Sequence, residues 1–365
     1  MIFMQAGLLR SIDKYFGAFL YLACWILSPL LRNGAKGRNV LVIKLWAIGE
    51  SILVLPSIKT IADKGFSIAV ICTKQNKFVF EKQKFVDKII VFDFANPLKA
   101  LAQLISLRTH GFSVSIDSDP YMKFSSVIGV LSGASRRYGF ENRRLLYTDP
   151  VRINEDQHAV LVFRDVFSGL SGFPVPGSLV PVATEPVKMP FPQKSVAIHA
   201  GSATTSTTRR WPEENFASLC DYFSSRGWNV YLVGSADEKS INSDILKLCK
   251  NKDKVIDTSG SLSLGQLAYL FSRMKLVIAN DSGPMHIAAA MSTPTIGLFG
   301  PNLPERFGPY GPRCIGLRND AGPPCILPFR ARFPECRHDH MKNLSVDEVV
   351  KAANKLVSVY SNTRK

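Results

Sequence analysis

Two α/β domains, each built on a mainly parallel sheet, are predicted by three features of the sequence. Short apolar runs ending in turns alternate with helical patterns, a proline-rich stretch interrupts the alternation, and the same alternation restarts beyond it. The length agrees: 365 residues, 46% hydrophobic and 20% charged, exceed one ordinary core.

The apolar run from Tyr15 to Leu31 comes first, with Arg10 and Lys14 before it and Arg32, Lys36 and Arg38 after it. It is a little shorter than the about 20 residues a spanning helix needs. Pro29 lies near its end and no small-residue cleavage site follows. An interfacial helix held at an anionic leaflet is predicted, with packing on the protein's own surface as the alternative.

After a polar joint from Asn33 to Arg38, Asn39 to Lys44 reads as a buried parallel strand leading through a Gly-containing turn into a helix. Strands follow at Ser67 to Cys72, Lys88 to Phe92 and Phe112 to Ile116, with a helix from Pro97 to Thr109. Six prolines between Phe173 and Pro192 preclude a regular element, so 173–193 is read as a linker between a domain at 39–172 and one at 194–345. The second domain is predicted to hold strands at Ser195 to His199, Asn229 to Val233, Lys275 to Ala279 and Thr295 to Phe299. Its helices are expected at Pro212 to Phe223, Leu264 to Phe271 and Pro284 to Ala290. A closing helix is expected from Val346 to Val357, within a terminal segment 346–365. Two Rossmann-like domains facing a cleft are the economical reading, and ligands bind such sheets outside the carboxyl ends of the strands.

A net charge of +16 favours anionic partners. The basic residues are spread along the chain without a nucleic-acid motif, so membrane or glycolipid phosphate is expected and nucleic acid is not. Seven scattered cysteines do not form a disulfide framework, and a reducing compartment fits them. Cys314, Cys325, Cys336, His338 and His340 lack the CxxC spacing of a zinc site, so no metal is assigned.

The densest chemistry lies in Ala279-Asn-Asp-Ser-Gly-Pro-Met-His-Ile-Ala-Ala-Ala290, a strand end, a tight turn and a helix opened by Pro284. A helix N-terminus offers unpaired N–H groups and about half a positive charge to a diphosphate. Asp281 and Ser282 also suit simple capping. Asn280 to His286 with Gly297-Leu-Phe-Gly-Pro301, His199-Ala-Gly-Ser202 with Arg209-Arg-Trp-Pro-Glu213, Val233-Gly-Ser-Ala-Asp-Glu238, and Lys44-Leu-Trp-Ala-Ile-Gly-Glu50 occur in order along the chain. Together they resemble the ADP-heptose:lipopolysaccharide heptosyltransferases of glycosyltransferase family 9, over a stretch running from about Asn39 to the final helix.

The resemblance implies a GT-B architecture, an inverting and metal-independent sugar transfer, ADP-heptose as donor, and a lipopolysaccharide core or related envelope glycolipid as acceptor. It places the enzyme in the cytoplasm, peripherally on the inner face of the inner membrane, with no cofactor. Glu50 stands where the family has a catalytic Asp, one methylene longer, although a first-turn acid also suits a helix dipole. Arg209 stands in place of a phosphate-contacting Lys. Ser202, Asp281, Ser282, Gly283 and His286 complete the expected phosphate site, and Glu238 is expected at the ribose, though a surface acid would read alike.

Asp117-Ser-Asp119 is assigned to the acceptor side rather than to a metal. Arg136 and Arg137, in a basic cluster with Arg143 and Arg144, are candidate acceptor contacts, or else a solvated loop. Arg210 either assists at the phosphate or solvates a helix start. The alternative functions are a GT-B nucleotide-sugar epimerase and a catalytically silent nucleotide-sugar binding protein.

Overall fold

The computed structural model describes residues 13, 17–31, 36–120, 122–170, 174, 176–202, 207–319, 322–325 and 340–360. The chain divides into two compact units, with the change at Pro176 and Gly177. From Pro176 to the next strand the described residues form no helix or strand, as the prolines require.

In the first unit, helix α1 (17–27) precedes β1 (Asn39–Ile43), α2 (Ile48–Asp63), β2 (Ser67–Cys72), α3 (Lys77–Phe80), β3 (Lys88–Val91) and α4 (Pro97–Leu107). Then come β4 (Val114–Asp117), α5 (Lys123–Leu131), β5 (Arg136–Phe140), β6 (Asp149–Val151) and α6 (Ala159–Ser168). The strands form one parallel sheet in the order β3-β2-β1-β4-β5-β6. The direction of winding reverses between β1 and β4, so the crevice for ligands opens at the carboxyl ends of those two strands. Leu41, Ile43, Ala69 and Ile71 cover one face of the sheet together with Leu107 and Ile128 from the helices.

The second unit repeats the plan. It comprises β7 (Ser195–His199), α7 (Glu213–Ser224), β8 (Asn229–Val233), α8 (Lys239–Leu248), β9 (Val255–Asp257), α9 (Leu264–Arg273), β10 (Leu276–Asn280) and α10 (Gly283–Ala290). β11 (Thr295–Phe299), α11 (Pro304–Phe307), β12 (Cys314–Arg318), α12 (His340–Asn343) and α13 (Val346–Tyr360) complete it. The order β12-β11-β10-β7-β8-β9 puts the switch point between β7 and β10. α13 buries Val349, Ala353 and Leu356 in the same core as Trp211, Phe216 and Ile198, so this helix packs within the second unit.

Every strand read from the sequence is present, within about two residues at its ends. The short edge strands β6, β9 and β12 were not anticipated, nor was β5, whose start was read as part of a basic cluster. Arg136-Arg-Tyr-Gly-Phe140 becomes a strand because β4 and β6 pair with it on either side. Its two arginines then alternate between the surface and the interior. The run read from Tyr15 is described from residue 17. One stripe of α1 and the following turn, with Leu20, Tyr21, Cys24 and Leu31, packs on Val127, Val130 and Leu146. The opposite side is exposed. Among the described residues no helix is long and apolar enough to cross a membrane.

The loop after β1 is held by Asn76, which is fully buried. Its Nδ2 donates to Lys44 O at 2.9 Å and to Ser51 Oγ at 2.8 Å, and its Oδ1 accepts from Thr73 N at 2.9 Å. Asn76→Ala removes these bonds and strands buried backbone groups. A loss of about 2–3 kcal/mol is expected, read as a lower urea midpoint for the first unfolding transition.

Candidate active site

Lys44 leaves the carboxyl end of β1 fully buried, with Nζ 2.6 Å from Glu50 Oε2 and 5.3 Å from the centre of the Phe163 ring. Burial alone would lower the ammonium pKa, but Glu50, Asp119 and Asp117 outweigh it and hold the group above the ordinary lysine value. Glu50 lies in the first turn of α2, where the helix dipole also favours an anion.

The turn between them carries Ala47 at φ +61°, a strained conformation for a residue with a Cβ. Asp119 stabilises it, its Oδ2 accepting from Leu45 N at 3.0 Å and Trp46 N at 3.1 Å. The lysine, the strained turn and the carboxylate thus stand together at the first switch point.

Asp117, expected to meet the acceptor, is buried and committed inward. It accepts from Tyr147 Oη at 2.6 Å and Ser125 Oγ at 2.7 Å and faces Arg143 at 3.8 Å. Burial raises its pKa above the ordinary aspartate value. The basic cluster separates in the same way. Arg137 is buried, donating to Leu146 O and Ala134 O, and Arg143 is buried, donating to Ser125 Oγ and to the carbonyls of Met122 and Asp119. Arg136, paired with Asp149 at 3.1 Å, and Arg144 are exposed.

At the second switch point three of the sequence motifs converge. Asn280, buried at the end of β10, donates through Nδ2 to Ala200 O at 2.7 Å and accepts through Oδ1 from Trp211 N at 3.3 Å. His199, at the end of β7, has Nδ1 3.2 Å from Ser282 Oγ and Nε2 3.3 Å from Glu238 Oε2. Arg209 Nη1 lies 3.4 Å from Asp281 Oδ2, which also accepts from Asn302 Nδ2 at 3.0 Å. Arg210 donates through Nε to Ser202 Oγ at 3.2 Å, so it braces the β7 turn rather than merely solvating a helix start.

Ser282 is the N-cap residue of α10 but does not cap it. Its hydroxyl donates to Asn280 O at 2.9 Å, and no side chain of the cap residue bonds the first-turn amides. The simple-capping reading of Ser282 is thereby replaced. Gly283 opens the helix, and His286 is buried along it.

Glu238 does more than a surface acid would. Burial would raise its pKa, but bonds from His199 and from Ser235 N at 2.8 Å prevail and lower it to about 2. A Cβ at position 201 would lie 1.8 Å from Glu238 Oε1, so Gly201 leaves room for the carboxylate in this placement.

Sequence reasoning gave no role to Lys44, His199 or Asn280, and read Asp119 only as part of an acceptor-side pair. Lys44, His199 and Asn280 share a local signal, a polar residue closing an apolar strand at its carboxyl end. Among the described residues no group of His, Cys, Asp and Glu is placed to hold a metal. Cys325 is disulfide-bonded, which a reducing compartment would not lead one to expect, while Cys24, Cys72, Cys220, Cys249 and Cys314 are free. Cys336 and His338 lie outside the described residues.

Residues 101–326, more than half of the chain, match glycosyltransferase family 9 (heptosyltransferase). The chain belongs to this family. Lipooligosaccharide heptosyltransferase 2 of Haemophilus influenzae is 30% identical over 112 residues, 30% of this chain and 32% of that protein. The chain thus spans about a third of the length of that relative. Its namesake in Haemophilus ducreyi is 27% identical over 259 residues, 64% of this chain and 74% of that protein. The solved structure of E. coli ADP-heptose lps heptosyltransferase II superposes with a TM-score of 0.71 at 18% identity, covering 89% of this chain and 100% of that one. The fold is therefore the GT-B fold of these family 9 proteins.

Glu238 contributes stability above the ordinary glutamate pKa of 4.5, and that contribution fades as pH falls toward 2. Glu238→Gln should therefore lower stability by roughly 2 kcal/mol near neutrality, allowing for partial solvent screening. The gap from wild type should close as the pH approaches 2, as thermal unfolding across a pH series will show.

Proposed function

We propose that this family 9 chain is an inverting, metal-independent glycosyltransferase that moves heptose from ADP-heptose onto a lipopolysaccharide core or related envelope glycolipid. The observation that carries this reading is the second switch point, where Arg209 and the uncapped N-terminus of α10 meet at the ends of β7 and β10. Such a terminus suits a diphosphate. The family match and the name of the E. coli structural neighbour support ADP-heptose as donor.

In this reading the first-turn amides from Gly283 onward and the Arg209 guanidinium take the charge of the diphosphate as it leaves. Asp281 orients Arg209, since a carboxylate touching phosphate directly would be repelled. Ser202, braced by Arg210, supports the neighbouring turn. Ser282 orients His199, His286 lines the helix behind the phosphates, and Glu238 accepts from the ribose hydroxyls.

Glu50, held in place by Lys44, takes the proton of the acceptor hydroxyl. The freed oxygen bonds the anomeric carbon as the bond from that carbon to the diphosphate breaks, and ADP departs with the electron pair. Arg136 is the outward-facing candidate for an acceptor phosphate, whereas Asp117 and Arg137 support the acceptor side from within.

A glycolipid acceptor calls for a membrane surface. The exposed side of α1 supports peripheral seating of the enzyme on the cytoplasmic face of the inner membrane.

Glu50→Gln keeps a group that can accept from Lys44 but cannot take a proton. Transfer should fall by about 10²- to 10⁴-fold with donor affinity nearly unchanged, and Glu50→Asp should retain activity. Turnover of Glu50→Gln at the wild-type rate in a radiolabelled-sugar assay would remove Glu50 from the mechanism.

Arg209→Ala should weaken donor binding by about 10- to 100-fold, the worth of one charge-assisted bond, and depress turnover further because the leaving group gains charge. Arg209→Lys should recover much of both. Calorimetry with the donor and a rate assay with and without chelator provide the check. Loss of activity in chelator would instead point to a metal.

A further inference from the structure

We propose that α4 forms a second membrane-seating face beside α1, so that the first unit rests on an anionic bilayer through two helices. This inference rests on the peripheral seating proposed above and adds to it a surface that the N-terminal segment does not contain. Both helices are built as though something apolar covers them. The only polar residue from Gly17 to Leu31 apart from Tyr21 is Ser28, and the segment carries no charge. The stripe through Leu20, Tyr21 and Cys24 is consumed in packing, yet Phe19 at 67%, Leu22 at 53% and Ile26 at 70% remain exposed. A helix that is apolar all round is expected to be buried on every side, and this one is covered on one.

α4 repeats the arrangement. Ala100, Leu104 and Leu107 face the core, while Leu98 at 81%, Leu101 at 55% and Ile105 at 63% are spaced three and four residues apart along its exposed side. Of the twelve large hydrophobic residues exposed among those described, nine lie on α1, its following turn and α4. The apolar exposure is therefore concentrated here rather than scattered singly, which marks an interaction surface.

The two helices share a neighbour, since both lie against α5. Asp13 accepts from the backbone N–H groups of Lys123 and Phe124 at the start of α5, and α1 then runs over Val127 and Val130. α4 packs against Phe124 and Ile128 of the same helix. Where α1 and α4 end, Arg108 Nη1 donates to Leu31 O at 2.9 Å and joins them.

Charge selects the occupant. Between Gly17 and Leu31, and between Pro97 and His110, there is no acidic residue, while Lys99 and Arg108 sit on α4 and at its end. Exposed Arg144 and Leu145 flank α1, with Leu145 N donating to Tyr21 Oη at 3.2 Å. The apolar stripes themselves carry no acid, and their rim holds Arg144, Arg108 and Lys99, the last paired with Asp93 at 3.8 Å; such a surface matches an anionic lipid face, where basic side chains meet headgroups and apolar side chains enter the acyl boundary. Trp25, 48% exposed, is of the type enriched at that depth.

The test is sedimentation of the full chain with vesicles of phosphatidylcholine containing about 30% phosphatidylglycerol, against phosphatidylcholine alone. One variant carries Leu98→Ser, Leu101→Ser and Ile105→Ser; a second carries Phe19→Ser, Leu22→Ser and Ile26→Ser. All six side chains are exposed, and an unchanged unfolding midpoint will show that each variant is folded. Each triple substitution should weaken partition into anionic vesicles by about ten-fold or more, and wild-type binding should fall in high salt. If the α4 variant binds as wild type while the α1 variant does not, the α4 face is rejected and peripheral seating through α1 stands. If both bind as wild type, or if wild type does not sediment with either vesicle, the seating itself fails. A wild-type dimer that the α4 substitutions convert to monomer, seen by ultracentrifugation, would assign the face to a second copy and overturn the proposal.

Discussion

The second unit depends on a buried carboxamide at its switch point. Asn280 closes β10, and its two ends satisfy backbone groups of two other segments, the turn after β7 and the approach to α7. Buried backbone donors and acceptors left without partners are costly, so such a side chain fixes the relative positions of loops that have no regular pairing of their own. Ser282, His199, Glu238, Arg209 and Asp281 acquire their places from that constraint. The first unit solves the same problem with Asn76 and Asp119, which hold the strained turn carrying Lys44 toward Glu50. In both units the parallel sheet supplies rigidity, and one buried polar side chain or two convert its ragged end into a defined surface.

The charges around these points are arranged so that each candidate ligand contact has a partner behind it. Lys44 stands behind Glu50, Asp281 behind Arg209, and His199 behind Glu238. Pairing holds a long side chain in one geometry before any ligand arrives, which is the requirement for electrostatic preorganisation. It also explains why Asp117, Arg137 and Arg143 turn inward. A carboxylate and two guanidinium groups in the interior are tolerable only when each is bonded, and the carbonyls of the Asp119 to Leu146 region together with Tyr147 and Ser125 supply those bonds.

The first unit leaves large apolar side chains exposed on α1 and α4, and among the described residues the second unit has few such side chains. The proposed membrane seating accordingly falls on the first unit and the proposed diphosphate site on the second.

What the sequence determined by itself was local. Apolar runs of five or six residues specified the buried strands because a parallel strand covered on both faces has no polar position to spare. The prolines after Phe173 specified the break, and the order of the Lys44–Glu50, His199–Ser202, Arg209–Glu213 and Asn280–His286 segments specified the family. Tertiary structure decided which polar residues face ligand and which face protein. Arg136 and Arg137 are adjacent in sequence, yet pairing of β5 between β4 and β6 sends one outward and the other into the core. Glu238, expected at a ribose but indistinguishable in sequence from a surface acid, gains a buried partner only when His199, 39 positions away, is folded against it. Lys44 at the end of an apolar run, and Leu98, Leu101 and Ile105 along a helix, carry no mark of burial or exposure in the sequence. Those outcomes depend on contacts between distant segments, which periodicity and propensity do not encode.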